Sequence, residues 1–278
     1  YFSQAGRFSD LSGGIGLYRV VAEAERDFAH QKEKVKDILK QLFCTIFRPE
    51  NLIVSLTGDA EGYAAFQPEL EAFQASLFTK DAEKEPMQVV CEKKNEGFKN
   101  AAQVQYVSRA GNFKNHGFAY TGALRILRVI LNYDYLWLNI RVKGGAYGCM
   151  SGFGRNGDTY FSTYRDPNLR RSNEVFDGMP EYLKNFDADE RDMTKYVIGT
   201  ISGMDTPLNP SAKGMRSMMA YLTHVTQEDY QKERDEVLAA GQAEIRALEP
   251  LITAVLADEN ICVIGNESVL EKEADLFS

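Results

Sequence analysis

Residues 120–140 (YTGALRILRVILNYDYLWLNI) set the tightest limit on how this chain folds. Leu124, Leu127, Leu131, Tyr135 and Leu138 form one apolar row at helical spacing, and Ile126, Val129, Tyr133, Trp137 and Ile140 form another. Arg125, Arg128, Asn132 and Asn139 leave only a narrow polar stripe. A helix apolar nearly all round has to be covered on most sides. It carries too much charge to be a membrane span.

The helix runs into Arg141-Val142-Lys143-Gly144-Gly145-Ala146-Tyr147-Gly148. Glycines permit positive φ and close backbone approach, so Gly144 and Gly145 can turn a helix end sharply into a strand. Arg141 falls on the last helical turn, where its charge suits the helix dipole. Tyr147 falls at the strand entrance. A guanidinium and a phenol can both donate to one carbonyl oxygen. Such donors act mainly on the charge that builds during attack on an amide. A plainer reading stands beside this one: the glycines as a helix C-cap, Arg141 as a surface ion-pair partner, and Tyr147 as a cross-strand packing residue.

Around this centre the chain reads as alternating helical and strand-like segments, an α/β (α+β) pattern. Residues 1–13 read as a loop, 16–47 as a helix stopped by Arg48-Pro49, 51–57 as a buried strand, and 67–77 as a helix. Residues 79–86 (TKDAEKEP) lack an apolar period and read as a linker, placed at 81–86. Strand-like stretches follow at 87–91 and 101–108. After the glycine corner, 149–154 and 159–164 flank Arg155-Asn156-Gly157-Asp158, a strong hairpin signal. Helices are expected at 169–186, 188–203, 211–223, 227–240 and 241–257, then a strand at 260–265 and an acidic tail. Glu50-Asn51-Leu52-Ile53-Val54 echoes Glu259-Asn260-Ile261-Cys262-Val263, each after a helix and before a glycine. The expected division is therefore residues 1–80 as the back end of one domain and 87–278 as a complete second copy. The chain has 278 residues, long for one core and suited to two. Its start at Tyr1-Phe2 suggests a piece of something longer.

A net charge of −8 argues against nucleic acid and anionic membranes as partners. No run of about 18 apolar residues is present to span a bilayer. Cys44, Cys91, Cys149 and Cys262 lie far apart without a CxxC pair, as reduced thiols do in a reducing compartment. A bacterial cytoplasm fits, as does a mitochondrial matrix or other organelle for a eukaryotic parent. His30, His116 and His224 have no partner at metal spacing, so no zinc site is expected within the chain. Cys149, beside the glycine turn, reads as a buried structural thiol in preference to a nucleophile. Gly152-Phe153-Gly154-Arg155-Asn156-Gly157 matches GxGxxG, but a strand-like segment follows where phosphate binding needs a helix.

Arg-x-x-Gly-Gly-Ala-Tyr-Gly, followed by Ser162-Thr163-Tyr164-Arg165-Asp166-Pro167-Asn168, resembles the C-terminal half of pitrilysin/insulinase-type zinc metallopeptidases, presequence protease branch. Asp205-Thr206-Pro207-Leu208-Asn209-Pro210 and Thr226-Gln227-Glu228-Asp229 fit the same branch. The resemblance implies repeated domains, each a mostly antiparallel sheet packed against several helices. It implies two halves closing around an unfolded peptide. Zinc, with its HxxEH ligands and glutamate base, would sit on an N-terminal half of the same polypeptide and not on this chain. Arg141 and Tyr147 would be the catalytic donors this half supplies, and Gly144 and Gly145 would shape the substrate-binding turn. This chain would be the end of a third domain and the whole fourth, inactive alone. The alternative is a non-catalytic homologue acting as a scaffold or interaction subunit; nucleotide binding at 152–157 is a distant third.

Overall fold

The computed structural model describes residues 1–80 and 89–277. The expected linker at 81–86 lies outside them. The described residues form two compact units. One comprises Tyr1–Gln4, Cys91–Thr206 and Gln227–Ser278; the other comprises Ala5–Val90 and Pro207–Thr226.

The larger unit is built on a five-stranded sheet. Its strands are β1 (Glu96–Asn100), β2 (Tyr106–Asn112), β3 (Gly148–Phe153), β4 (Asp158–Tyr164) and β5 (Asn260–Asn266), in the order β1-β5-β2-β4-β3. β1 runs parallel to β5, and every other pair is antiparallel. Side chains alternate across a strand. Val107, Phe161, Ile261 and Val263 therefore share one face, and all four are buried under helices. Tyr106, Tyr160, Ser162, Tyr164 and Ile264 share the other face, where Tyr160, Tyr164 and Ile264 stand exposed.

The predicted spine forms and is the centre of the core. α1 (Gln4–Gly13), α2 (Ile15–Arg26), α3 (Phe28–Ile46) and α4 (Ala60–Ala75) precede it; α5 (Ala123–Ile130) opens the spine itself. Leu124, Ile126, Leu127, Ile130, Leu131, Leu136 and Ile140 are all buried. The second half departs from simple helical geometry. Leu131–Tyr135 and Trp137–Val142 are π-helical, and Lys143 N–H donates to Leu138 O at 2.9 Å. Each wide turn re-phases the side chains. Tyr133, Trp137 and Leu138, expected inside, are consequently exposed.

α6 (Arg170–Asp177), α7 (Met179–Lys184), α8 (Glu190–Met204), α9 (Pro210–Thr223), α10 (Gln227–Ala239), α11 (Gln242–Arg246), α12 (Glu249–Ala257) and α13 (Glu267–Lys272) follow. The helices expected at 169–186 and 241–257 are thus each broken in two, with Gly178 at the first break. Residues 101–108 contribute only their end to a strand, and 89–91 form none; β1 lies further along. Residues 1–13, read as a loop, carry α1 instead.

The largest correction concerns 51–57. No strand forms there: Pro49–Asn51 is a 3₁₀ turn and the rest is irregular. A strand needs a ladder, and the described residues of this unit offer no neighbouring strand. What the smaller unit exposes is helix: Ile38, Leu39, Leu42, Phe43 and Ile46 all stand open on α3. Phe28, Leu39, Phe43 and Phe78 line an apolar groove there of about 660 Å³. A contiguous apolar patch of this kind drives association. The chain is expected to bind an apolar dye and to self-associate at micromolar concentration. Leu39→Glu with Leu42→Glu should suppress both, read by dye fluorescence and light scattering.

Candidate functional site

The glycine corner is a helix cap of unusual width. Gly145 adopts φ 80°, the left-handed conformation that glycine tolerates best. Its N–H donates to Arg141 O at 2.9 Å, and Ala146 N–H reaches Ile140 O at 3.2 Å. A Cβ on Gly144 would collide with Ile140 O, and backbone cannot move aside cheaply. The remaining carbonyls are met from the segment after β4: Asn168 Nδ2 donates to Gly144 O at 2.7 Å, and Arg171 to Lys143 O at 2.9 Å. Asp166, wholly buried, holds that segment by accepting from Asn168 N–H and from the Ser172 hydroxyl at 2.6 Å. Gly145→Ala should cost about 1–2 kcal/mol, the penalty of a left-handed non-glycine residue. Gly144→Ala should cost more. Urea unfolding followed by the emission of Trp137, the single tryptophan, reads both.

The corner brings Arg141 and Tyr147 together. The Arg141 guanidinium donates to the Tyr147 carbonyl oxygen. Its carbon lies 4.3 Å from the Trp137 ring centroid and 5.5 Å from that of Tyr147. An arginine stacked this way is oriented without a carboxylate partner. Among the described residues Arg141 makes no ion pair. Tyr147 is 64% exposed. Its ring meets Tyr164 edge-on at 5.9 Å, and Tyr164 meets Tyr106 at 5.3 Å. The phenolic OH of Tyr147 has no partner among the described residues. Trp137 was read from the sequence only as a core position; the signal that could have found its role is its spacing of four from Arg141 on the same helix.

Tyr147 therefore adjoins the uncovered face of the sheet. Tyr160, Tyr164 and Met150 are exposed there, with Ser108, Ser162 and Gly148 as small positions between larger ones. Tyr1 and Phe2 lie over its far side, against Ser108, Ala110 and Cys262, and Ser3 Oγ donates to Asp158 Oδ2 at 3.0 Å. The face already holds a short aromatic stretch of this chain. The alternation Tyr160-Phe161-Ser162-Thr163-Tyr164 was the available signal for it.

β3 is the edge strand of the sheet. Asn132, on the spine, caps its free edge at Ser151, accepting from Ser151 N–H at 2.7 Å. The hairpin after it closes with Gly157 at φ 96° and Gly154 N–H on Asp158 O at 2.7 Å. The GxGxxG match is this turn, between two strands. Burial pushes the Cys149 thiol up to about 11, with Arg141 opposing, so it stays protonated at neutral pH. That suits a structural thiol.

The described residues do not fit a zinc ion. Among them His30 meets Asp27, His116 meets Asp258, and His224 is a left-handed helix cap. Among the described residues no three His, Cys, Asp or Glu side chains gather as a ligand set.

The PreP C-terminal domain family matches residues 95–267, which include the spine, the corner and the whole sheet. The chain belongs to that family. Protein HypA of Clostridium perfringens is 39% identical over 278 residues, all of this chain and 28% of that protein. Presequence protease 1, chloroplastic/mitochondrial, of Arabidopsis thaliana is 27% identical over 268 residues, 93% of this chain and 24% of that protein. The chain spans about a quarter of the length of these relatives. A protease from Helicobacter pylori shares the fold at TM-score 0.51 and 15% identity, covering 75% of this chain and 53% of that one. The resemblance to the presequence protease branch is thereby upheld. No helix among the described residues is long and apolar enough to cross a membrane.

Proposed function

We propose that this PreP C-terminal region is the substrate-binding part of a zinc metalloendopeptidase that degrades unfolded oligopeptides. The observation that carries the reading is the pairing of Arg141 with the exposed Tyr147, beside a sheet face on which Tyr160 and Tyr164 stand exposed. A peptide lying on that face would rest its side chains among Tyr160, Tyr164 and Met150. Arg141 and Tyr147 would donate to the carbonyl of the bond being cleaved, where charge accumulates as the amide is attacked. Gly144 and Gly145 would let the peptide backbone come close. Zinc would be held by an N-terminal half of the same polypeptide, as the resemblance implies. Residues 1–80 and 87–278 would then be parts of two successive domains of that parent.

The chain alone should leave an unstructured peptide intact. Recombined with the N-terminal half and zinc, it should restore cleavage. Restoration by the N-terminal half and zinc without this chain would overturn the proposal.

A further inference from the structure

On the helix-covered side of the sheet, away from the corner, lies a second cavity of about 520 Å³. Its base is Arg109, on β2, whose side chain is only 8% exposed. A charge so deeply placed needs partners. It has three: its guanidinium donates to Asn173 Oδ1 at 2.7 Å, Asp177 Oδ1 at 3.2 Å and Leu256 O at 2.7 Å. Arginine has five N–H donors. Among the described residues the Nε–H of Arg109 has no acceptor, and Arg109 lines the cavity.

The mouth carries Asp177, Glu259 and Asp275, and the walls include Leu256, Ile261 and Leu276. Each carboxylate has a cation beside it: Arg109 for Asp177, Lys93 for Glu259 at 3.3 Å, and Arg170 for Asp275 at 2.6 Å. Charges of both signs therefore line the cavity, with the buried Arg109 guanidinium deepest and three ion-paired carboxylates further out. A plain anion such as phosphate would use the Arg109 donor but set its remaining charge against those carboxylates. A plain cation would leave the Arg109 donor without an acceptor.

We infer that this cavity binds a small zwitterion, a free α-amino acid or a dipeptide. Its carboxylate accepts from the Arg109 Nε–H, its ammonium lies at the carboxylates of the mouth, and its side chain lies on the apolar wall. Charge-assisted hydrogen bonds of this kind are the strong ones, and two opposite ones fix the ligand's direction.

The test uses the intact chain and alanyl-leucine, titrated by calorimetry. N-acetyl-alanyl-leucine lacks the ammonium, and alanyl-leucinamide lacks the carboxylate. Each should bind about tenfold more weakly or worse, the effect of one charge-assisted bond, and phosphate should not bind. Ala257→Phe, at an exposed position lining the cavity, should abolish binding without touching Arg109. Asp177→Asn should weaken the dipeptide more than its amide-blocked N-acetyl form. Absence of binding at 10 mM (about the weakest useful affinity), equal binding of the blocked analogues, or binding unchanged by Ala257→Phe would overturn the inference. The assay needs no zinc and no other half, so its failure leaves the peptidase reading standing, and the reverse holds too.

Discussion

Tyr147→Phe in the full-length parent should lower kcat by about 10²–10³, the effect of removing one donor from a developing oxyanion. KM should move little, because the ring and its contact with Tyr164 at 5.9 Å remain. Arg141→Ala should do more than this. It removes a donor, the stack at 4.3 Å on Trp137, and the hydrogen bond that holds the Tyr147 carbonyl. Both kcat and KM should therefore change. Arg141→Lys should rescue little, since an ammonium keeps the charge but neither the planar fork nor the stack. The double variant should be less than additive, because each residue positions the other. Unchanged kcat in Tyr147→Phe would remove that phenol from the chemistry.

Glu233→Gln should destabilise the larger unit by about 3 kcal/mol, the low end for a broken buried pair because both guanidiniums keep some water. The Glu233 side chain is 3% exposed. It accepts from the Tyr120 hydroxyl at 2.5 Å and from the guanidiniums of Arg125 and Arg155. Beside it, Glu236 accepts the Gly122 N–H at 2.6 Å, at the start of the spine. One helix, α10, thereby ties the spine's first turn to the tip of the β3–β4 hairpin. Burial alone would raise the Glu233 carboxyl, but the hydrogen bonds from Arg125 and Tyr120 and the two guanidinium charges hold it below its ordinary value. A depressed carboxyl stabilises the fold above its unfolded pKa, and the contribution is lost as pH falls through the folded one. The gap between the native chain and Glu233→Gln should be full at pH 7. It should shrink below about pH 4, the ordinary glutamate range. Urea titrations at several pH values measure it, and a gap independent of pH would contradict the assignment.

Much of this architecture was legible because it is locally determined. The spine showed in two apolar rows, the hairpin in Asn156-Gly157, and β5 in Asn260-Ile261-Cys262-Val263-Ile264. What the sequence hid depends on distant partners. β1, Glu96-Gly97-Phe98-Lys99-Asn100, is polar and short, and exists because it pairs in parallel with β5. Residues 51–57 have the composition of a strand but no neighbour to pair with among the described residues. The π-turns in the spine leave no periodic mark, yet they decide that Trp137 faces out to meet Arg141. At the site, the closeness of Arg141 and Tyr147 across the glycine corner could be read from residue type and spacing. The supports could not, since Asn168, Arg171 and Asp166 reach the corner only after β3 and β4 have folded back. The buried Arg109 gave no sequence signal, because an arginine in a strand ordinarily faces water.

If Arg141 and Tyr147 act on substrate, a peptide must occupy the uncovered sheet face next to the corner. Photo-crosslinking measures that directly. p-Benzoylphenylalanine would replace Tyr147, Tyr160 or, as a control on the helical layer, Lys184 in the full-length parent, with zinc chelated so that the peptide persists. An unstructured peptide should become attached at positions 147 and 160 and not at 184. Attachment at 184 with none at 147 or 160 would contradict the claim that this face and its Arg141–Tyr147 corner receive the substrate.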